Sequence, residues 1–416
     1  MKISTFYTWF WVLYIPLCIL FYDMINDYVD EVMTLVLALF TLTKLTKRSS
    51  SKAQREIVVY VILVASYFVY SMSLKINGIN ALLLDIQQQV RPYVVFYCTY
   101  LLAPTFARWQ KNIMISILIA CIVVYLALSF AGIKVASYGL ATPAIGQSSL
   151  MLAMLFLLCN GDRVENKWIA LAIVSVGLLS GKSKFYGEYI AFIGIFFFLK
   201  NKLNIGSAKS VLQVLLVCGV VLFFTWTKFN VYYVEGFTKL EQGQMQARPA
   251  SYDVAGQIIL HDYVPLGSGF ASFGTNAAAV HYSPLYYKYK LDEIWGLSPD
   301  NPMFLSDAYY PTMAEFGLVG IFFFLWFWVR RYKEVNSKKE RVYYKIGLMC
   351  IIALALESIA DTSYLSGKGM GYFMLLAMCI RAGEIDLKKR RRVIIVNKSV
   401  VEKRQGIQSL NENTRN

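Results

Sequence analysis

The sequence predicts an all-α fold, a polytopic transmembrane bundle of about twelve helices with one large external loop. Of the 416 residues, 57% are hydrophobic and 15% are aromatic. Apolar runs recur along the chain with lengths close to the roughly 20 residues that a helix needs to cross a bilayer. Helices satisfy every backbone hydrogen bond in lipid, and the short alternating segments typical of a barrel are not seen in the sequence.

The predicted spans share an apolar centre and short charged flanks. They are Phe6–Phe21, Val32–Leu42 (extended at both ends), Ile57–Met72, Val90–Leu102, Ile113–Phe130, Gln147–Cys159, Trp168–Leu179, Tyr189–Leu199, Val211–Trp226, Pro311–Val329, Val342–Glu357 and Gly371–Ile380. Residues 1–226 form the first part of the predicted bundle and residues 307–380 the last part. Between them lies an external loop, residues 227–306, and a basic, disordered tail follows over residues 381–416.

The net charge of +15 is distributed in a way that predicts orientation rather than nucleic-acid binding. With the N-terminus inside, most lysines and arginines fall in alternate loops, which is the bias that orients a multispanning protein. The basic run Lys388–Arg392 follows the last span and is typical of an anchor on anionic headgroups. We therefore expect both termini to be cytoplasmic and the large loop to be outside.

The external loop has local order of its own in the sequence. Arg248 and Pro249 open a segment whose apolar spacing predicts a short helix. That helix is expected to stop at the turn Pro265–Gly269. A second short helix is expected near Leu291, before the next span begins.

Three basic residues at external positions are candidates for phosphate binding. Lys182 and Lys184 precede a span, and Arg248 stands at the start of the loop helix, where backbone N–H groups also favour an anion. Lysine binds phosphate as a point charge, whereas arginine offers a planar fork. The alternatives are that the lysines snorkel at a helix end and that Arg248 pairs with Asp253 or Glu241.

The carboxylates at the end of the loop are candidates for acid–base chemistry. Asp307 is either a helix N-cap or a general base. Glu315 lies in an apolar span, where a carboxylate is costly and therefore a functional candidate, although it can also neutralise an internal cation. Tyr309 and His261 are possible supporting residues. No metal-ligand spacing and no phosphate-binding glycine loop occur, so we expect neither a metal nor a cofactor.

In order and spacing, these features resemble the family of O-antigen polymerases and O-antigen ligases, multispanning bacterial envelope enzymes. The resemblance rests on Ser183-Lys184, on Arg248 opening a helix, on Pro265–Gly269, and on Asp307 followed by Glu315, Gly317 and Gly320. It covers the motifs of residues 170–330 and the topology of the whole chain. Lys184 stands where the family usually has arginine, and Asp307 where ligases usually have histidine. Arg91, at another external span end, resembles a further family cation.

The resemblance implies a polysaccharide polymerase at the outer face of the bacterial cytoplasmic membrane, with its loop in the periplasm. Its substrates would be oligosaccharide repeats linked to undecaprenyl diphosphate, joined by metal-independent, inverting glycosyl transfer. A chain-length regulator is a possible partner besides membrane lipids. Arg248, Lys184, Lys182 and Arg91 would bind the diphosphate, with Arg248 and Asp307 catalytic. The alternatives are a ligase that transfers glycan to a lipid A core, and a flippase or transporter of the lipid-linked oligosaccharide.

Overall fold

The computed structural model describes residues 1–22, 28–44, 51–132, 143–203, 246–338 and 340–382, the turn 235–237 and the single positions 212, 219, 223, 226 and 230. Helices dominate this part of the chain, and no strand occurs within it. Most of the predicted span Val211–Trp226, the first part of the external loop and the tail from residue 383 lie outside the described residues. The all-α prediction is confirmed for the rest.

Within the described ranges, fourteen α-helices follow one another in chain order. They are α1 Ile3–Ile15, α2 Val29–Lys44, α3 Ser51–Leu74, α4 Ile79–Leu102, α5 Arg108–Phe130, α6 Pro143–Asn160, α7 Val164–Val176, α8 Ser183–Ile193, α9 Ala247–Gln257, α10 Asn276–Val280, α11 Pro284–Lys288, α12 Gly317–Asn336, α13 Arg341–Ala360 and α14 residues 367–382. Single π-helical turns extend α1, α8 and α9.

Five helical segments among the described residues are long and apolar enough to cross a membrane. They are Ile3–Leu20, Lys52–Leu74, Arg108–Phe130, Pro143–Asn160 and Arg341–Ala360. A membrane protein is thus confirmed in coarse form, whereas a bundle of about twelve spans stays a prediction. Two of the predicted spans fall on α7 and α8, which have only 13 and 11 residues. These are too short to cross a bilayer core of roughly 30 Å without the turns that follow them.

The helices divide into central and peripheral ones. The most apolar stretch of α6 is 78% buried inside the protein, whereas that of α3 is only 11% buried. The exposed positions of α3 include Val58, Ile62 and Val69. Since soluble monomers rarely leave so large an apolar surface in contact with water, the outer face of α3 is a surface for lipid.

The loop residues from 246 onward form a small unit with its own core. Val254 and Ile258 of α9 pack with Phe273, Tyr286 and Leu305. The predicted helix after Arg248 is confirmed, and so is the turn that ends it. A helix near Leu291 is present as a short 3₁₀ turn.

The start of the next span is corrected by the structure. The span predicted from Pro311 divides into a 3₁₀ turn, Tyr310–Glu315, and the helix α12 that begins at Gly317. Gly317 has a φ of +55°, a left-handed conformation that interrupts the helix and favours glycine. Glu315 therefore lies before the helix and not within the predicted span.

Candidate functional site

The two residues expected to be catalytic form an ion pair with each other. The Nε of Arg248, in the first turn of α9, donates to Oδ2 of Asp307. Both side chains are roughly a quarter exposed, at 22% and 25%. This partner lies 59 residues from Arg248 along the chain, the alternative partner Glu241 lies outside the described residues, and Asp307 caps no helix. The fold thus brings two groups that are distant in sequence together at a position that solvent can reach.

This ion pair lines a small open pocket. Its other walls come from the first turns of α9 and from the segment before the 3₁₀ turn: Ser251, Tyr252, Phe304, Leu305, Ala308 and Pro311. The ring of Phe304 lies 5.9 Å from the guanidinium carbon of Arg248, within the range of a cation–π contact. The pocket therefore presents a cation, a carboxylate and an aromatic face together.

Two hydrogen bonds hold the pocket residues against the end of α13, one from the hydroxyl of Tyr252 and one from the backbone of Tyr309. The hydroxyl donates to the carbonyl of Ile359 at 2.8 Å, and the backbone N–H of Tyr309 donates to the carbonyl of Ser358 at 3.1 Å. Tyr309 itself is buried and stacks on Tyr364, with ring centroids 4.1 Å apart. Its role is therefore to fix the segment after Asp307 against the end of α13.

The turn Pro265–Gly269 packs directly on the backbone that precedes α12. The backbone N–H of Ser268 donates to the carbonyl of Ala314 at 2.9 Å, and that of Gly269 to the carbonyl of Glu315 at 2.8 Å. A Cβ on Gly267 would collide with the backbone N of Gly317, and a Cβ on Gly317 with that of Gly267. The two glycines thus permit an approach that any side chain would prevent.

Glu315 anchors this turn. Its Oε1 accepts the backbone N–H of Ser272 at 2.9 Å and of Phe273 at 3.1 Å, and also the hydroxyl of Thr275 at 3.1 Å. Its carboxyl is fully buried and faces that of Asp85 in α4. Two carboxyl groups in contact need a proton between them. The structure therefore gives Glu315 a position that holds the loop backbone, in place of the alternative that it neutralises a cation.

Lys184 forms a second cation–carboxylate cluster at the start of α8. Its ammonium lies 2.6 Å from Oε2 of Glu357 and also contacts Asp361. The hydroxyl of Ser363 donates to the same oxygen of Glu357 at 3.0 Å. The alternative that Lys184 snorkels is not what the structure has, because the side chain is only 14% exposed and is doubly paired.

The two clusters act on one another electrostatically. Burial raises the pKa of Asp307, Arg248 opposes that rise, and the charges of Asp361 and Lys184 also act on Asp307. Burial alone would raise the pKa of Asp361, but the positive charges of Lys184 and Lys368 outweigh it and lower that pKa. Two sets of ion pairs therefore share one neighbourhood, in which the pKa of Asp307 is raised and that of Asp361 is lowered.

Arg91 occupies a closed site. It is 4% exposed and contacts the carboxylates of both Asp30 and Glu31, besides donating to the carbonyl of Leu365 at 3.2 Å. Asp30 also accepts the backbone N–H of Gly367 at 2.9 Å. Because two carboxylates already neutralise one guanidinium, this site has no excess positive charge for an anion.

The remaining candidates lie apart from the pocket lining. Lys182 immediately precedes α8 and is partly exposed, and His261 is exposed in the π-helical turn after α9. Among the described residues no three His, Cys, Asp or Glu side chains converge in a way that could hold a metal. The absence of a metal and of a cofactor stays a prediction.

Sequence reasoning missed four charged residues of this region: Glu188, Glu357, Asp361 and Lys368. Glu188 is fully buried on α8, one turn from Lys184, and its carboxyl faces that of Glu357. A carboxylate four residues after a candidate cation, within an apolar segment, is a signal that could have found it. Asp361 and Lys368 flank the short segment between α13 and α14, and no local pattern distinguishes them.

The fold and site define a helical membrane protein with cation–carboxylate pairs gathered near an ordered loop. No protein-family model matches this chain, and no curated protein matches it either.

Proposed function

We propose that this protein is a polysaccharide polymerase that joins undecaprenyl-diphosphate-linked oligosaccharide repeats by inverting glycosyl transfer. The observation that carries the proposal is the Arg248–Asp307 ion pair, which lines an open pocket beside the helical bundle. Such a reaction needs a fixed cation for the departing diphosphate and a carboxylate for the acceptor proton. One pocket offers both, and apolar helices beside it can take the lipid chain.

In the proposed mechanism, the donor's diphosphate competes with Asp307 for the guanidinium of Arg248. Arginine binds phosphate oxygens with a planar fork, so diphosphate binding releases the Asp307 carboxylate. The anionic diphosphate then raises the proton affinity of that carboxylate. The pair found in the free protein is the resting form, and substrate binding converts Asp307 into a stronger base.

The bond changes balance in a single displacement. The acceptor hydroxyl oxygen bonds to the anomeric carbon while the bond from that carbon to the diphosphate oxygen breaks. The electron pair of the broken bond goes to the diphosphate beside Arg248, and the hydroxyl proton goes to Asp307. Inversion at the anomeric carbon follows from attack on the face opposite the leaving group.

Lys182 stays in the proposal as a diphosphate-side cation. Lys184 is removed from the binding set, because Glu357 and Asp361 already balance its charge. Arg91 is removed from the binding set, since its charge is balanced. It serves to hold residues 365–367, and through them the neighbourhood of Asp361.

The proposed location is the bacterial cytoplasmic membrane, with cytoplasmic termini and a periplasmic loop. Its support is the resemblance together with the five apolar helices. Membrane lipids and the lipid-linked repeats are the proposed partners, with a chain-length regulator as a further one.

One observation favours a second candidate, a flippase or transporter of lipid-linked oligosaccharide. Glu188 and Glu357 are buried within the helices and share their site with Lys184. Ionisable groups at such depth are typical of substrate or proton pathways in transporters. The polymerase is preferred because Arg248 and Asp307 lie in the loop unit, outside the five helices that are apolar and long enough to cross a membrane.

The test is polymerisation by purified protein in lipid vesicles that contain the lipid-linked repeat. Arg248→Ala is expected to lower the rate by about 10²–10³, the usual cost of one transition-state donor. Asp307→Asn keeps the shape but removes the base, and a loss of similar size is expected. The matched control is Arg108→Ala, because Arg108 is also an arginine in the first turn of a helix and is exposed.

The outcomes separate the candidates. Longer glycans from the parent and from Arg108→Ala, but not from the two pocket variants, support the polymerase. Movement of the lipid-linked repeat across the bilayer without any longer product would support the transporter. Full polymerisation by Arg248→Ala would remove this pocket from the mechanism.

A further inference from the structure

An exposed tryptophan stands beside the candidate pocket. The side chain of Trp295 is 69% exposed, and its ring centroid lies 5.7 Å from that of Phe304. Phe304 in turn lies 5.9 Å from the guanidinium carbon of Arg248 and lines the pocket. The ring of Trp295 thus adjoins an aromatic ring of the pocket lining.

The backbone fixes this pair of rings. The N–H of Phe304 donates to the carbonyl of Gly296 at 2.9 Å, and that of Asn301 to the carbonyl of Ser298 at 3.1 Å. Gly296 has a φ of +84°, and a Cβ there would collide with the ring of Phe304. The turn that carries Trp295 is therefore closed tightly on Phe304, so the backbone of Trp295 and the ring of Phe304 are held in place before any ligand binds.

The charges around Trp295 favour a hydroxyl-rich ligand over a lipid surface. Exposed Glu293 and Asp300 and partly exposed Asp292 lie within five residues of it, and they outnumber the one basic residue in that range, the exposed Lys290. Anionic lipid surfaces attract basic segments, so these carboxylates oppose such a contact. Carboxylate oxygens accept hydrogen bonds from hydroxyl groups, and an aromatic face packs well on the C–H face of a sugar ring.

We propose that Trp295 and Phe304 form a platform on which a sugar ring of the glycan stacks, next to the sugar that reacts in the pocket. This inference rests on the proposed function and adds a binding subsite to it. The platform would fix how far the glycan reaches into the pocket, so its loss should weaken binding more than it slows the chemical step.

The expected effect is on affinity. Trp295→Ala should raise both the KM for the lipid-linked repeat and the Kd for its free oligosaccharide about tenfold, which is the scale of one aromatic contact. The kcat should change little, and products should be shorter because the growing glycan leaves more readily. Trp295→Phe keeps an aromatic face and should restore most of the binding.

The test uses full-length protein in detergent and two probes. One is the oligosaccharide repeat, released by mild acid from the lipid-linked material that accumulates in cells without this gene. The other is a vesicle of anionic phospholipid. Trp109→Ala is the matched control, because Trp109 is a 56% exposed tryptophan in the first turn of α5. Weaker oligosaccharide binding by Trp295→Ala, with rescue by Trp295→Phe, supports the platform.

Two results would overturn it. One is unchanged oligosaccharide binding in Trp295→Ala, and the other is a loss of vesicle binding with oligosaccharide binding intact. The failure of the platform is distinguishable from that of the proposed function. If polymerisation is lost in Arg248→Ala but both KM and Kd are normal in Trp295→Ala, only the platform is wrong.

Discussion

Arg91 and Arg248 are both bound to carboxylates, but their side chains differ in access to solvent. Arg91 is 4% exposed and contacts Asp30 and Glu31, whereas Arg248 is 22% exposed and pairs with Asp307 on the wall of a pocket. In the first site, removal of the arginine leaves buried carboxylates without their cation. In the second, a ligand can replace the carboxylate. The comparison teaches that access, more than the residue type, separates a structural arginine from a binding one.

The carboxyl groups of Glu315 and Asp307 also differ in access, because the first is buried and the second is partly exposed. Glu315 accepts hydrogen bonds from two backbone N–H groups and a hydroxyl, so its oxygens are committed to the loop. Asp307 has one charged partner and stays accessible. A committed carboxylate holds the backbone in place, and an accessible one can exchange its proton or its partner during a reaction.

The largest expected effect is the loss of stability when Arg91, rather than Arg248, is replaced by alanine. Arg91→Ala should lower the free energy of unfolding by about 3–5 kcal/mol, because two carboxylates are left without their cation. Arg248→Ala should lower it by about 1 kcal/mol or less, as is usual for a partly solvated pair. Thermal unfolding in detergent, followed by tryptophan fluorescence, measures both. An Arg91→Ala protein as stable as Arg248→Ala would contradict the structural role of Arg91.

The second effect concerns the carboxylates. Glu315→Ala should lower the free energy of unfolding by about 2–4 kcal/mol, because the buried N–H groups of Ser272 and Phe273 lose their acceptor. Glu315→Gln should cost about 1 kcal/mol, since its amide oxygen still accepts and its NH₂ can donate to Asp85. Limited proteolysis of the loop, alongside thermal unfolding, reports the damage.

The glutamine variant also serves as the control for catalysis. Glu315→Gln should retain polymerisation, whereas Asp307→Asn should fold normally and lose it. Loss of activity in a well-folded Glu315→Gln would place Glu315 among the reacting groups and make the two carboxylates alike.

The sequence predicts local features such as helix starts and turns, but it does not predict which distant side chains form ion pairs. Arg248 at a helix start and the turn ending at Gly269 follow from proline, glycine and apolar spacing. Nothing local indicates that Arg248 meets Asp307, since the pairing depends on how α9 packs against the segment before α12. The same holds for Arg91, whose partners lie about sixty positions earlier on α2.

The predicted spans also show that composition is predictable locally, whereas the places where helices break are not. Composition predicts apolar helices, but helix length decides whether one can cross a bilayer, and π-helical and 3₁₀ turns change that length. Tyr189–Leu199 was predicted as one span, whereas α8 ends at Ile193 and a π-helical turn follows it. The left-handed conformation of Gly317 moved Glu315 out of its expected helix in the same manner. Such breaks depend on tertiary packing.

The smallest expected effect is the contribution of Asp307 to the pH dependence of folding stability. Burial raises the pKa of Asp307 in the folded protein, so the folded state holds this proton more tightly than the unfolded state. Stability from this group is therefore complete below the ordinary aspartate pKa and falls as the pH rises through the raised value. Asp307→Asn should remove that component. Unfolding titrations of both proteins across mildly acidic pH would measure the difference.

Activity should respond to the same proton in the opposite direction, because the base must be ionised. The kcat/KM of the parent should fall as the pH falls through the raised pKa of Asp307. Arg248 counteracts that rise, so the residual activity of Arg248→Gln should begin to fall at a higher pH. Asp361, whose pKa is lowered by Lys184 and Lys368, should stay ionised throughout this range. If kcat/KM of the parent and of Arg248→Gln fell at the same acidic pH, the pairing of Arg248 with Asp307 would not control the titrating group. Asp307 would then lose its assignment as the base.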